Sequence, residues 1–259
     1  MDAAVFQLPW ANVLSGVALT MRAVGFVFVA PVVGAEGVPP QLRGALALLI
    51  VVLLAPVVPA PAVGASVYWL CASEFFVGFA LGFVSRLAFE ALLFAGSTAG
   101  YPTGLAMASM LDPYGQSQVA NIGIFYQVFG SLIFLAMGGH RQALYALARS
   151  YEIVPAGAAK FSGPWLPSLV TMTGQVFSIG LRLAAPIIVA GILVDVCLML
   201  IARAVPQMNI LVVGAPVRLG VGLIALAFSL HVFAPLVAES IDAASRDAGQ
   251  FLKALAARG

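Results

Sequence analysis

The chain has 259 residues, of which 62% are hydrophobic and only 8% are charged, and its mean hydropathy is +1.07. A typical soluble domain carries about 25% charged residues, so most of this exterior must face lipid or other protein, and the chain is predicted to be an integral membrane protein. The formal net charge of +2 is too small to suggest nucleic-acid binding.

Apolar stretches that are long enough for helices follow one another along the chain. Six are predicted, at residues 10–33, 44–58, 67–95, 119–137, 165–205 and 210–238. The fifth is too long for one upright span, and Pro186 near its middle predicts a kink or a re-entrant hairpin. The predicted fold class is therefore all-α: a polytopic membrane protein with about six hydrophobic helical segments, some broken or kinked.

Two shorter pieces are amphipathic and are predicted to lie at an interface or against a partner helix. Residues 141–151 place Leu144, Leu147 and Tyr151 on one helical face. In the tail, one side carries the apolar residues Ile241, Ala244, Ala248, Phe251 and Leu255. We therefore predict one membrane domain, 1–238, followed by an amphipathic tail, 239–259.

The distribution of Lys and Arg among short loops predicts the orientation in the membrane. With six spans, one side receives only Arg43 and Arg203, whereas the other receives Arg141, Arg149, Lys160, Arg246, Lys253 and Arg258. Both termini are therefore predicted to be cytoplasmic.

Charged residues inside apolar segments are expensive and are expected to face protein or water. Arg22, Glu74 and Asp195 have no partner one helical turn away. Arg182 and Arg203 are 13 and 8 residues from Asp195, too far along the segment for a simple contact within one helix. Each of the three must find its counter-charge on another helix or another chain.

A polar stripe runs along the apolar segment before Pro186. Its members recur at three- and four-residue steps: Thr171, Gln175, Ser178 and Arg182. Such a stripe is typical of a helix that faces a water-filled path or a polar partner surface. Hydrogen bonding between helices of one bundle explains it equally well.

Small residues recur at every fourth position in two places, and such stripes let helix backbones approach closely. Gly78 and Gly82 form the shorter one. Pro102 interrupts the longer one, so this piece is predicted to be a broken segment rather than one straight helix. The members of the longer series are Gly96, Gly100, Gly104 and Ala108.

The broken segment leads into AMASMLDPYGQSQ, residues 106–118. Methionines repack easily, and apolar constrictions can close a pore by dewetting. One interpretation is a deformable seal; ordinary core contacts at a helix end are the other. The residues concerned are Leu105, Met107, Met110, Leu111, Asp112 and Pro113.

Residues spread over nearly the whole chain match the pattern of one known family. Those of the first half include Arg22, Pro31, Gly34, Leu42-Arg43, Glu74, Gly78, Gly104 and Asp112-Pro113. The most specific are Ala185-Pro186, Asp195, Arg203, Pro206 to Asn209 and Gly214 to Pro216. In their order and spacing these residues resemble the FliR family, the export-gate subunit of flagellar type III secretion, whose relatives serve virulence injectisomes.

The resemblance implies a non-enzymatic subunit of a protein-conducting channel in the bacterial inner membrane, at the flagellar basal body. Helical hairpins would pack with FliP- and FliQ-type subunits into a hetero-oligomeric export gate, with FlhB-type and FlhA-type proteins as further partners. It also implies that the hydropathy segments need not each cross the bilayer.

The resemblance further implies roles for particular residues. Residues 100–118 would form a plug-like loop that holds the pore closed and admits unfolded flagellar proteins when it opens. Tyr101-Pro102 departs from the family, in which the helix continues here. Four charged residues would serve assembly between subunits: Arg22, Glu74, Asp195 and Arg203.

Two other classes explain part of the pattern. A secondary ion or small-molecule transporter would use the intramembrane Asp195 and Arg182 and would act without partner subunits. An intramembrane enzyme would need clustered acids, bases or metal ligands. Because the two histidines and two cysteines are isolated and Walker, GxSxG and HExxH motifs are absent, no enzymatic activity, metal or cofactor is predicted.

Overall fold

The computed structural model describes residues 10–34, 37–56, 66–100, 102–103, 121–161, 165–207 and 209–256. Over these residues the chain is all-α, as predicted, and contains no strand. The described helices are α1 (Trp10–Val29), α2 (Pro40–Leu54), α3 (Val67–Gly100), α4 (Asn121–Ala136), α5 (Gly139–Ile153), α6 (Trp165–Ala204) and α7 (Ile210–Ala256).

Prolines and a glycine mark several helix ends. α2 begins at Pro40, where proline needs no hydrogen-bond partner for its nitrogen. α3 ends at Gly100, two residues before Pro102, so the predicted break in the small-residue series is confirmed. Gly138 adopts a positive φ of 74° between α4 and α5, a conformation that strongly favours glycine.

The fifth apolar segment forms one helix rather than a hairpin. α6 runs for 40 residues from Trp165 to Ala204 and contains Pro186, so the re-entrant hairpin, one of the two predicted alternatives, is wrong. Proline removes one backbone hydrogen bond. In an apolar setting, a turn would leave more backbone groups without partners than the continued helix does.

Fewer helices than predicted have the length and composition of a membrane span. Among the described residues, α3, α6 and α7 qualify, and α4 with α5 would add a fourth if they form one bent span. α1 and α2 are apolar but shorter. Six hydropathy segments therefore correspond to three or four candidate spans.

The chain divides into two compact units. Unit 1 comprises residues 1–87, 138–172 and 241–259, and unit 2 comprises residues 88–137 and 173–240. α3, α6 and α7 contribute residues to both units.

The core of unit 1 combines an aromatic cluster with buried apolar side chains from several helices. An edge-to-face aromatic cluster joins Phe76 of α3 to Phe161 and to Trp165, with ring centroids 5.0 and 5.4 Å away. Such pairs stabilise a fold beyond the area that they bury. The three rings are half-buried, whereas the buried residues of this unit include Ala18, Phe26, Val77, Leu81, Leu147, Tyr151, Phe251 and Leu255.

Unit 2 has an aromatic core. The Tyr126 ring of α4 lies 4.9 Å from the Phe233 ring of α7, and Phe129 lies 5.5 Å from the same ring. Tyr126 and Ser229 are buried and share a 2.7 Å hydrogen bond between their hydroxyls. The tyrosine therefore packs its ring without leaving its hydroxyl unsatisfied.

Both amphipathic pieces belong to unit 1. α5 buries Leu147 and Tyr151 as predicted but exposes Leu144. The tail is the continuation of α7, and its predicted apolar face is buried at Ile241, Ala248, Phe251 and Leu255.

Candidate functional site

The residues of the predicted plug lie outside the described part of the chain: Leu105, Met107, Met110, Leu111, Asp112 and Pro113. The structure describes some of the residues that lead into the predicted plug. α3 ends at Gly100, and a turn at Pro102 and Thr103 follows. Thr103 Oγ1 donates a 2.8 Å hydrogen bond to the Gly100 carbonyl, which satisfies one of the free acceptors at the helix end.

Two glycines of unit 2 make room for this turn. Gly191 of α6 lies so close to Pro102 that a Cβ at residue 191 would overlap the proline ring. A Cβ at Gly222 of α7 would lie 2.8 Å from the Thr103 Cβ, shorter than real contacts of this kind. Neither glycine is part of a four-residue repeat, so the sequence pattern did not reveal them.

Arg22 of α1 and Glu74 of α3 form a buried ion pair in unit 1. Arg22 Nε donates to Glu74 Oε2 at 2.7 Å, and Nη2 donates to Oε1 at 3.0 Å. Both side chains are 0% exposed. The prediction that each has its partner on another helix or chain is confirmed, and the partner is on another helix of the same chain.

The remaining polar atoms of this pair are satisfied by α5 and the segment after it. Arg22 Nη1 donates to Ser150 Oγ at 2.9 Å, and Nη2 also donates to the Val154 carbonyl at 3.0 Å. The Gly157 N–H donates to Glu74 Oε1 at 3.0 Å. The guanidinium lies 4.1 Å from the centroid of the buried Tyr151 ring, a cation–π contact.

Glycines bring α1 and α3 close enough for this pairing. A Cβ at Gly78 would overlap the carbonyl oxygen of Arg22 itself, and one at Gly82 would lie 2.7 Å from the Phe26 carbonyl oxygen. Gly25 of α1 lies equally close to the Phe75 carbonyl of α3. The predicted role of the Gly78/Gly82 stripe is thus confirmed, and Gly25 adds a third close approach.

Asp195 of α6 pairs with Arg218 of α7 in unit 2. Arg218 Nε lies 2.8 Å from Asp195 Oδ1, and the side chains are 28% and 45% exposed, respectively. Arg218 was not among the residues predicted to matter, although an arginine inside an apolar segment is the signal that could have identified it.

The other singled-out polar residues lie on the surface of the chain. Arg203, close to the end of α6, is exposed. The four members of the polar stripe are exposed as well, and Thr171 Oγ1 donates a 2.9 Å hydrogen bond to the Pro167 carbonyl of its own helix. The polar stripe comprises Thr171, Gln175, Ser178 and Arg182.

Comparison with known proteins shows which family this arrangement belongs to. Residues 13–244 match the family "Bacterial export proteins, family 1". The flagellar biosynthetic protein FliR of Pectobacterium carotovorum subsp. carotovorum is 31% identical over 218 residues, covering 83% of this chain and 84% of the relative. The FliR of Aquifex aeolicus (strain VF5) is 32% identical over 215 residues, covering 81% and 82%. The Yop proteins translocation protein T of Yersinia pestis is 32% identical over 151 residues, which is 58% of each chain. The chain therefore belongs to family 1 of the bacterial export proteins, the family of the flagellar FliR proteins.

Proposed function

We propose that this chain is a channel-forming subunit of the flagellar type III export gate, which passes unfolded flagellar proteins across the inner membrane. Membership of the FliR family, matched over residues 13–244, carries the proposal. The partners that it requires are FliP- and FliQ-type membrane subunits, with FlhB-type and FlhA-type export proteins attached and lipid around the assembly.

The exposed apolar surface of unit 2 supports assembly with sister subunits. The most apolar parts of α6 and α7 are only 28% buried inside the chain, against 56% for α3. α6 exposes large side chains such as Leu193, Met199 and Leu200, and α7 exposes Ile224 and Phe228. Lipid or other protein must cover this surface. Two long apolar helices joined by a short connection, as α6 and α7 are, can pack beside similar helix pairs of sister subunits.

The Asp195–Arg218 pair favours protein over lipid as the cover on part of this surface. Both side chains are partly exposed, and charged groups that face hydrocarbon are costly even when paired. A neighbouring subunit can supply the polar groups that lipid tails lack. The exposed stripe that ends at Arg182 is proposed to face such a neighbour or the water-filled path between subunits.

The same pair weakens the transporter alternative. In the transporter alternative, Asp195 and Arg182 would together couple ion movement to transport, whereas Asp195 has Arg218 as its ion-pair partner. A transporter would also act as a single chain, with its polar site enclosed by its own helices. Here the Asp195–Arg218 pair is partly exposed and Arg182 is exposed.

We assign the role of plug to residues 100–118, with the methionines as a deformable seal. The fit of Pro102 against Gly191, and of Thr103 against Gly222, supports a fixed starting point for this loop. From a rigid base, a Met-containing loop can close a narrow path by filling it with apolar side chains and can repack when a substrate passes.

The plug assignment is tested by replacing Met107 and Met110 with glycine. We expect cells that carry the double variant to leak small ions or dyes while the complex still assembles, because the seal loses its apolar volume. The control replaces both methionines with leucine, which keeps that volume. A double-glycine variant that assembles and stays tight would show that the methionines only pack.

The assembly proposal is tested by tagging the C-terminus, extracting membranes in mild detergent and identifying the proteins that co-purify. A stable complex with two other small hydrophobic membrane proteins is the expected result. A lone monomer or homodimer at native expression levels would contradict it and would favour the transporter.

A further inference from the structure

A groove with a basic rim lies in unit 1 between α5 and the end of α7. Its volume is about 410 Å³. Its lining comes from both helices and includes Tyr145, Arg149 and Ile153 of α5 and Arg246, Leu252 and Lys253 of α7. Three of these are cationic and none is acidic, so the groove differs from the rest of a chain whose net charge is only +2.

The floor and the rim of the groove have different chemistry. Leu252 lines the groove but is only 2% exposed, so the apolar floor that a ligand can touch consists of Ala146 and Ile153, which are half-buried. The side chains of Arg149, Arg246 and Lys253 are exposed around it. Such a site accommodates an amphipathic ligand that has an apolar face and carboxylates beside it.

The length of the groove fits a polypeptide helix. Its α5 side extends from Tyr145 to Ile153 and its α7 side from Ser245 to Lys253, which is roughly 12 Å, or two turns, on each helix. Arg246 and Lys253 are seven residues apart, about 10.5 Å along the axis. Carboxylates at positions i and i+7 of a docked helix have the same separation.

The charges around the groove argue against an anionic lipid surface as the occupant. Glu152 and Asp242 are exposed on the same two helices, and the half-buried Asp247 follows Arg246 directly. A protein face that binds anionic lipid is rich in Lys and Arg, whereas the carboxylates on these helices would be repelled by the lipid. Mixed charges with a local basic groove are complementary to one protein segment.

We propose that this groove docks an acidic amphipathic helix of a partner protein in the export apparatus, with its apolar face on Ala146 and Ile153 and its carboxylates on Arg149, Arg246 and Lys253. The proposal rests on the proposed function for the source of the partner, but it does not depend on the plug, because it concerns unit 1 and makes no use of residues 100–118.

Photo-crosslinking in the native bacterium tests this docking. Tyr145 is replaced by p-benzoyl-phenylalanine in the full-length chain, because it lines the groove and is 67% exposed. We expect a protein adduct whose crosslinked peptide, mapped by mass spectrometry, carries Asp or Glu seven residues apart. Crosslinks to lipid alone, or to a segment without carboxylates, would overturn the proposal.

Charge reversal with a matched control shows whether the basic rim holds the partner. Arg149→Glu/Lys253→Glu should lower the adduct yield by about tenfold, since two exposed charge pairs together contribute roughly that factor. The control Arg141→Glu/Lys160→Glu makes the same change of charge at exposed residues of unit 1 that do not line the groove, and should leave the yield unchanged. Replacing the carboxylates of the mapped peptide with lysine should restore the adduct to the reversed groove. An adduct that is insensitive to reversal would overturn the proposal.

A second variant blocks the groove without changing its charge. Gly249 also lines the groove, and an added Cβ there meets nothing within 4 Å, so we expect Gly249→Phe to be accepted and to fill part of the groove with its ring. We expect loss of the adduct in Gly249→Phe and its retention in Gly249→Ala, with equal amounts of both chains in the membrane. Since plug variants change ion leakage and groove variants change the adduct, failure of one proposal is distinguishable from failure of the other.

Discussion

The Arg22–Glu74 pair is an unusually complete buried ion pair. Its charges are fully removed from water, which costs several kcal/mol per ion before any compensation. The two-point contact between the side chains is supplemented by Ser150, the Val154 carbonyl and the Gly157 N–H. Because these partners lie on α5 and the segment after it, the pair stabilises one particular arrangement of α1, α3 and α5.

Removing the charge of Glu74 should therefore destabilise the chain strongly. Glu74→Gln leaves the Arg22 guanidinium buried without a counter-charge, a change that typically costs about 3–5 kcal/mol. The measurement is the free energy of unfolding in mixed micelles. Glu152→Gln, at an exposed carboxylate of the same unit, is the control and should change it by less than about 0.5 kcal/mol.

A paired replacement separates charge from hydrogen bonding. Arg22→Leu/Glu74→Leu removes both charges, so it should be more stable than Glu74→Gln. It should still fall below the parent chain, because the Val154 carbonyl and the Gly157 N–H lose their partners. Equal stability of Glu74→Gln and the parent chain would show that the buried pair does not depend on its charge.

The Asp195–Arg218 pair gives a different prediction because it is partly exposed. Asp195→Asn should lower the amount of chain found in the assembled complex, measured on native gels, while the isolated chain still accumulates in the membrane. The swap Asp195→Arg/Arg218→Asp should recover part of that assembly by restoring the pair. Normal assembly of Asp195→Asn, together with loss of a substrate-coupled proton flux, would support the transporter instead.

At the scale of the helices, glycine sets the distance between α1 and α3. The positions Gly25, Gly78 and Gly82 place backbone against backbone, which is the contact that small residues permit. The ion pair lies next to these contacts, since a side chain at residue 78 would overlap the Arg22 backbone. Close packing and charge pairing therefore depend on each other.

Gly78→Ala should separate α1 from α3 and weaken the chain. The new methyl group would overlap the Arg22 carbonyl oxygen, a backbone atom that cannot rotate away. We expect a loss of about 1–3 kcal/mol, as for other overpacked positions, seen as lower unfolding free energy in micelles. Gly16→Ala in α1 is the matched control because an added Cβ there meets nothing within 4 Å. It should be neutral or stabilise by up to about 1 kcal/mol.

Sequence patterns predicted helix existence better than helix continuity. Proline ended or began helices at Pro40 and Pro102, as local stereochemistry requires. Pro186 did not, because the apolar sequence on both sides keeps the helix favourable.

The charges of Arg22 and Glu74 predicted that partners exist, but 52 residues separate the two residues in the sequence. Only the packing of α1 on α3 could identify each as the partner of the other.

At the scale of the molecule, hydropathy cannot distinguish a surface that faces lipid from one that faces another subunit. Both require apolar side chains. Six apolar segments were predicted, but in the described part of the chain only three or four helical spans are long and apolar enough to cross a membrane. The partly exposed Asp195–Arg218 pair and the exposed polar stripe help to distinguish the two kinds of surface. They mark parts of an apolar exterior that lipid alone would cover poorly.

The orientation of the whole chain can be tested with reporter fusions. Only Arg43 and Arg203 lie on one predicted side of the membrane, whereas the side that holds α5 and the tail has more basic residues. The positive-inside rule therefore predicts a cytoplasmic C-terminus. Green fluorescent protein fused after Gly259 should therefore fluoresce, whereas alkaline phosphatase should be active when fused after Gln207, between α6 and α7. The two sites must give opposite results if α7 crosses the bilayer once, and that requirement holds for either orientation.

Active phosphatase at Gly259 and fluorescence at Gln207 would reverse the orientation. The groove between α5 and the tail would then face the periplasm, and its acidic partner would have to be found there.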